Sequence, residues 1–339
     1  MKALKTLNVV VLIIAAILAA LLGFYVGRIT APSPPKLPEV VIAYSLTAQG
    51  FCGPMLAKEL EFFEKHGIHG TVLYISGTTQ TQAAIMGGSV HFGVGPGVAS
   101  VASSQLAGED LIIVMVPGYS GPTTLWARPE IKKPEDLVGK KVSVIGLSGS
   151  LHMYFLHALK VWGIDASKVT IVGMSGATSF EAMKAGTLDA AMLSLEYYKS
   201  CQEAGFTKLF DLWDFPGADK FFYGPIVARR SWVEAHPRET VNTLKALIEG
   251  WQYYINNKDS VRYLEKYLGL TVEKLEEAYE PHTKIFTKRG LNYVPTRDDL
   301  VFNLEMNAIF NQKLLEADVD KLWDLTYFKQ ALTELGMLK

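Results

Sequence analysis

The sequence predicts an α/β fold of two lobes joined by crossing strands, preceded by a membrane-spanning N-terminal segment. Three observations carry this. From Glu39 onward, short apolar runs alternate with amphipathic stretches, the pattern of strands and helices around a largely parallel sheet. Two strand-like runs, near residues 125 and 225, bracket a second alternation of the same kind, so that one unit is inserted in another. An uncharged and almost wholly apolar run, Val9–Val26, opens the chain.

Lys2 and Lys5 precede that run, and about 18 residues at roughly 1.5 Å of rise each can cross a bilayer core. The basic end stays in the cytoplasm and places everything after Arg28 outside. The run ends Leu22-Gly23-Phe24-Tyr25-Val26-Gly27, without an A-x-A-like cleavage pattern, and no cysteine follows closely. Residues 1–28 are therefore read as an uncleaved signal anchor, with a cleaved signal peptide as the alternative. Residues 29–38, containing Ala31-Pro32-Ser33-Pro34-Pro35, form a stiff extended linker.

Val40–Tyr44 is the first strand. A helix over Gly53–His66 sets Leu56, Leu60 and Phe63 on one face and ends at Gly67. Strands at Thr71–Ile75, Phe92–Val94 and Leu111–Val116 alternate with helices around Ala83–Ile85 and over Pro96–Ala107. Thr123–Ala127 crosses into the second unit. There a helical turn at Pro134–Leu137 leads into strands at Lys141–Ile145, Val169–Val172 and Ala190–Leu193, with helices over Ser150–Trp162 and Phe180–Ala185. Gly224–Ala228 crosses back, and helices dominate from Ser231, with amphipathic runs at Thr240–Asn256, Ser260–Leu268 and Asp298–Leu315. Lobe I is thus residues 39–125 and 225–339, and lobe II is 126–224. Two lobes joined by two strands are built to close about a hinge; two unrelated α/β domains in tandem are the alternative.

At 339 residues, 49% hydrophobic and 20% charged, the chain has ample material for a core. A net charge of -1 offers no basic face for nucleic acid. Cys52 and Cys201 could pair but make no disulfide framework, and the seven histidines show no metal-ligand spacing, so no metal or cofactor is expected.

Four Ser-Gly pairs follow strand-like runs: Ser76-Gly77, Ser120-Gly121, Ser148-Gly149 and Ser175-Gly176. In open α/β sheets ligands bind beyond the carboxyl ends of strands, where small residues let hydroxyls and N–H groups approach. At Ser148-Gly149-Ser150 a helix starts at once, so its free N–H groups can hold an anionic oxygen, and His152 lies one turn in. Turn formation alone explains any single pair. The segments Gly118–Pro122, Gly146–Ser150 and Gly173–Ala177 each lack the last glycine of G-x-S-x-G, which disfavours a serine hydrolase. Aromatics near the crevice are Tyr44, Phe51, Tyr119, Tyr197 and Tyr223.

Several segments together resemble the SsuA-like family of type II periplasmic binding proteins, whose members bind sulfonates, taurine, nitrate and thiamine precursors. They are Ala57-Lys58-Glu59-Leu60-Glu61-Phe62-Phe63-Glu64-Lys65-His66-Gly67-Ile68, Gly87–Gly95, Ile131–Val142, Gly186-Thr187-Leu188-Asp189-Ala190-Ala191 and Val227-Ala228-Arg229-Arg230. The resemblance runs from Val40 to about Asn257. It implies a clamp that closes over one small anionic or zwitterionic solute and docks, as a monomer, on an ABC permease with its ATPase. It also implies contacts from Ser45, Gln49, Ser76, Gly77, Thr78, Gly95, Pro96, Gly97, Ser120, Ser148, Gly149, Ser150, Glu196 and Tyr197. The family often reads W-E-P where this chain has Ser194-Leu195-Glu196-Tyr197, so the resemblance does not single out the solute. A heterocycle binder, a tethered sensor and an enzyme on the same fold are the other readings.

Overall fold

In a computed structural model of the protein, residues 16–18 and 36–338 are described, apart from 120, 146, 148, 149, 287 and 310. The predicted anchor and the Pro-rich linker lie outside the described residues, save a helical 16–18 and the linker's last three residues. Among the described residues no helix is long and apolar enough to cross a membrane.

The strands are β1 (Glu39–Tyr44), β2 (His69–Tyr74), β3 (Phe92–Val94), β4 (Leu111–Met115), β5 (Gly118–Tyr119), β6 (Thr123–Ala127), β7 (Lys141–Val144), β8 (Thr170–Gly173), β9 (Ala190–Ser194), β10 (Thr207–Asp211), β11 (Phe222–Tyr223) and β12 (Ile226–Arg229). They form two five-stranded sheets, ordered β2-β1-β3-β12-β4 and β10-β6-β9-β7-β8. Both are mixed rather than largely parallel. In the first, β12 runs antiparallel to β3 and β4; in the second, β6 runs antiparallel to β9 and β10. These are the strands that carry the chain between sheets, and reversing direction is what lets a chain enter and leave without a crossover helix. The passage itself is a short ribbon, β5 paired with β11, in which Tyr119 faces Phe222.

Strands buried on both faces are apolar throughout, as β4 (LIIVM) is although it ends its sheet. Alternate residues serve two cores: Ile42 packs under the helices Cys52–Glu59 and Pro237–Asn256, and Ala43 under Thr78–Met86 and Val98–Leu106. Val142 and Val144 face a separate core built on Phe155 and Leu159.

The helix expected over Gly53–His66 is two helices, Cys52–Glu59 and Phe62–Lys65, divided at Glu61, whose φ is 55°. Packing explains the break. Phe63 lies so close over Gly70 of β2 that a Cβ there would stand 2.1 Å from its ring. The helix expected from Pro96 starts at Val98, after an extended Gly97 (ψ -173°). Cys52 and Cys201 are both buried and unpaired.

Candidate functional site

A cleft of about 810 Å³ opens where the strands of both sheets end. From the first sheet come the loop Ser45–Ala48 after β1, Ser76–Thr78 after β2 and Gly95 after β3. From the second come Thr123, Ile145, Gly173–Ala177, Ser194 and Tyr197. Tyr223 and Gly224 line it beside the ribbon, and Leu268, Gly269, Leu270 and Lys274 close it from the C-terminal helices.

Ser45 anchors the first wall. Its N–H donates to the Val94 carbonyl (3.0 Å), and its carbonyl accepts from Gly77 N–H (3.2 Å). Its hydroxyl is buried without a hydrogen-bond partner among the described residues. Gly95, at φ +121°, makes room for it: a Cβ there would fall 1.9 Å from Ser45 Oγ. A buried, unanswered hydroxyl beside a cavity is a group awaiting a partner.

On the second wall, Ser175 caps the helix Gly176–Lys184, its hydroxyl accepting the Thr178 N–H at 3.2 Å. That helix's first turn borders the cleft and carries the positive end of its dipole there. Tyr197 lies against it so closely that a Cβ at Gly176 would stand 2.9 Å from the ring. Burial, with Glu196 beside it, pushes the Tyr197 hydroxyl up to about 12. Over the ring sits the Lys274 ammonium, 5.7 Å from its centroid and without a carboxylate partner among the described residues. The other charged lining residue, Glu181, is at an exposed rim and paired with Lys184. Phe51, Tyr74, Phe180, Tyr197 and Tyr223 give the cleft an aromatic lining.

Of the residues singled out in the sequence, Ser45, Ser76, Gly77, Thr78, Gly95 and Tyr197 border the cleft. Gln49 and Glu196 are buried behind it, joined by the Gln49 N–H to Glu196 Oε1 bond of 2.9 Å. Pro96 and Gly97 lie in the turn before the helix Val98–Leu106 and are not on the cleft wall. His152 is half-buried on the helix Ser150–Val161, away from the wall, and burial lowers its pKa. Ser150 opens that helix; Ser120, Ser148 and Gly149 lie outside the described residues. Tyr44 and Tyr119 belong to the cores. The sequence reading did not place Thr123, Ser194 or Lys274 in the site. Ser175-Gly176 carried a signal as a Ser-Gly turn; Lys274 carried none, being one of two lysines on a helix with many charged residues.

The family model described as NMT1/THI5 like matches residues 49–260. The taurine-binding periplasmic protein of Escherichia coli (strain K12) is 28% identical over 181 residues, covering 52% of this chain and 54% of that protein. The match thus spans about half the length of that relative. The fold is that of the solved periplasmic aliphatic sulphonate binding protein SsuA from Escherichia coli, with a TM-score of 0.68 at 23% identity, covering 87% of this chain and 100% of that one. It is shared by a desulfurization enzyme, DSZB, with a TM-score of 0.61 at 14% identity, covering 87% of this chain and 99% of the enzyme. One fold therefore carries both capture and catalysis, and the residues of the cleft must decide between them.

Proposed function

We propose that this chain, which belongs to the NMT1/THI5-like family, is the extracytoplasmic solute-binding component of an ABC-type importer. Its solute is a small organic anion or zwitterion of the sulfonate or taurine kind, held between the two lobes. The single observation that carries the anionic class is Lys274, an ammonium on the cleft wall over the Tyr197 ring with no carboxylate partner among the described residues, on a cleft that the first turn of the helix Gly176–Lys184 also lines. Both favour negative charge, and the buried Ser45 hydroxyl and Thr78 add hydrogen-bond capacity. The relative named for taurine supports the same class.

Capture is favoured over catalysis by the character of the lining. The described lining residues include hydroxyls and backbone groups but no histidine, cysteine or aspartate; the lining carboxylate, Glu181, is exposed and paired with Lys184, and the buried Ser45 hydroxyl has no hydrogen-bond partner among the described residues. In this reading the run Val9–Val26 tethers the protein to the outer face of the membrane, and a permease with its ATPase receives the solute.

A second reading, capture of a pyrimidine-like heterocycle, is favoured by the five aromatics and by a cleft of 810 Å³, roomy for a taurine-sized solute. A thermal-shift panel on residues 36–339 separates the two. It would contain taurine, butanesulfonate, benzenesulfonate, nitrate and an aminopyrimidine. Ligand at a hundredfold excess over Kd adds about 2.7 kcal/mol of stability. Selective shifts with the sulfonates support the first reading; a shift with the aminopyrimidine alone replaces it with the second.

A further inference from the structure

Behind the cleft its two walls meet at a buried carboxylate, beside the Lys199–Glu277 ion pair and the packing of Leu195 on Ala278 and Ile285. Gln49 opens the turn Gln49–Phe51 in the loop after β1, on the first sheet; Glu196 stands in the turn Leu195–Tyr197 after β9, on the second. The Gln49 backbone N–H donates to Glu196 Oε1 at 2.9 Å. The Gln49 side chain donates through Nε2 to the Leu275 carbonyl, also at 2.9 Å, next to Lys274. Gln49 therefore ties together the loop that carries Ser45, the turn that carries Tyr197 and the helix that carries Lys274. Both partners are buried, Glu196 at 6% exposure and Gln49 at 0%.

The contact is only half satisfied. Glu196 Oε2 and Gln49 Oε1 are buried without hydrogen-bond partners among the described residues. A charge-assisted bond to a backbone N–H is strong, but a carboxylate oxygen stripped of water with nothing in return is costly. When the walls part, the carboxylate and the N–H both regain water. The attraction and the penalty oppose each other, which limits the hold of this contact on the joined state and leaves room for a solute bridging the walls to add to it.

We propose that Glu196 is a positioning residue for solute capture, the carboxylate on which the second wall closes against the Gln49 N–H of the first. This rests on the cleft being the solute site. It gives Glu196 a role at the seam between the walls, in place of direct contact with the solute.

The proposal makes opposite predictions for two variants. Glu196→Ala removes the acceptor and opens the cleft. Glu196→Gln keeps a carbonyl acceptor and removes the buried charge, so the cleft stays as closed as in the parent, or closes further. Spin labels at Lys58→Cys and Lys168→Cys report on this, since both lysines are exposed while Cys52 and Cys201 are buried. In solute-free protein, Glu196→Ala should lengthen the inter-label distance and Glu196→Gln should not. With butanesulfonate, Glu196→Ala should dissociate about tenfold faster, and Glu196→Gln should restore the parental rate. If Glu196→Ala does not fold, Gln49→Pro removes the donor instead. Ala48 (φ -127°, ψ 146°) already has the backbone that precedes proline, and Gln49 is the first residue of its turn. Gln49→Pro should open the cleft more than Gln49→Ala, which keeps the N–H.

Unchanged distances in Glu196→Ala, or in Gln49→Pro, overturn the proposal. So does a Glu196→Gln variant that loses binding with its distances unchanged, because the charge would then serve the solute directly. If no sulfonate binds the parent while Glu196→Ala still opens it, the seam stands and only the solute class fails.

Discussion

At the scale of single residues, charge and burial make separate predictions. Replacing Lys274 by methionine keeps the apolar stem over Tyr197 and removes the ammonium. A hydrogen bond to a charged group contributes about 1.5–3 kcal/mol, so affinity for a sulfonate should fall by roughly 10- to 150-fold. Titration calorimetry in low and high salt checks this, because the loss should be larger at low salt. Equal affinity in parent and Lys274→Met would remove the lysine from the site. His282 is a buried counterpart. It is 1% exposed, accepts or donates at Nδ1 to the Tyr254 hydroxyl (3.1 Å), and burial pulls its pKa from 6.5 to about 3. The folded protein thus refuses a proton that the unfolded chain takes up below 6.5. Stability from this group is complete above pH 6.5 and is lost as pH falls towards 3, at about 1.4 kcal/mol per unit. Between pH 7 and pH 5 the parent should therefore lose about 2 kcal/mol more than His282→Asn, as read by urea unfolding. A pH-independent gap between the two proteins would contradict it. The sequence showed the hydroxyl-rich turns of this site because Ser-Gly pairs recur after four strand-like runs, where turn formation alone would explain any one of them. It could not show Lys274, whose place depends on how a distant helix packs.

Elements were legible where a single periodicity governed them. The helix Pro237–Asn256 was visible because Val241, Leu244, Leu247, Ile248 and Trp251 repeat at helical spacing, and all are buried. The helix Val272–Phe286 was missed although Leu275, Ala278, Tyr279, His282 and Ile285 keep the same spacing, since Pro281 lies within it. Proline removes one N–H from a helix and usually ends it, so a helical repeat that runs through one stands out less among its neighbours. The strand Thr207–Asp211 was missed because an edge strand is only half-buried and shows no apolar run. Helix packing supplies a prediction that propensity alone would reverse. Gly250, inside Pro237–Asn256, faces the helix Cys52–Glu59 so closely that a Cβ would stand 2.2 Å from the Gly53 carbonyl oxygen. On propensity, Gly250→Ala should stabilise by about 1 kcal/mol. On packing, the two backbones must separate, which costs about 1–3 kcal/mol as overpacking does. A lowered melting temperature is the expected outcome; a raised one would mean that the helices are not held at this distance.

For the whole molecule, the two lobes are not independent of the C-terminal helices. The helix Arg297–Ala308 is apolar on two sides. Leu300 and Leu304 enter the core of the first sheet, whereas Phe302 and Met306 meet Tyr154, Leu212 and Phe221 beside the second. Phe221 lies 4.2 Å from Tyr154 and 5.2 Å from Phe302, between rings. Asn303, between those two faces, accepts the Phe222 N–H at 3.0 Å and donates to the Lys220 carbonyl at 2.8 Å. Losing this helix would therefore strip apolar cover from both lobes at once. Such a wedge couples their stabilities: neither lobe can unfold without exposing the face of the helix that serves the other. Heat should melt residues 36–339 in one transition whose van't Hoff and calorimetric enthalpies agree, unlike two domains on a linker. Phe302→Ala should lower that single midpoint by several degrees, and so should Leu304→Ala, each through the core it fills. If Phe302→Ala instead splits the melt into two steps, with only the lobe around Tyr154 and Phe221 moving down, the wedge supports each lobe separately and does not bind their folding together.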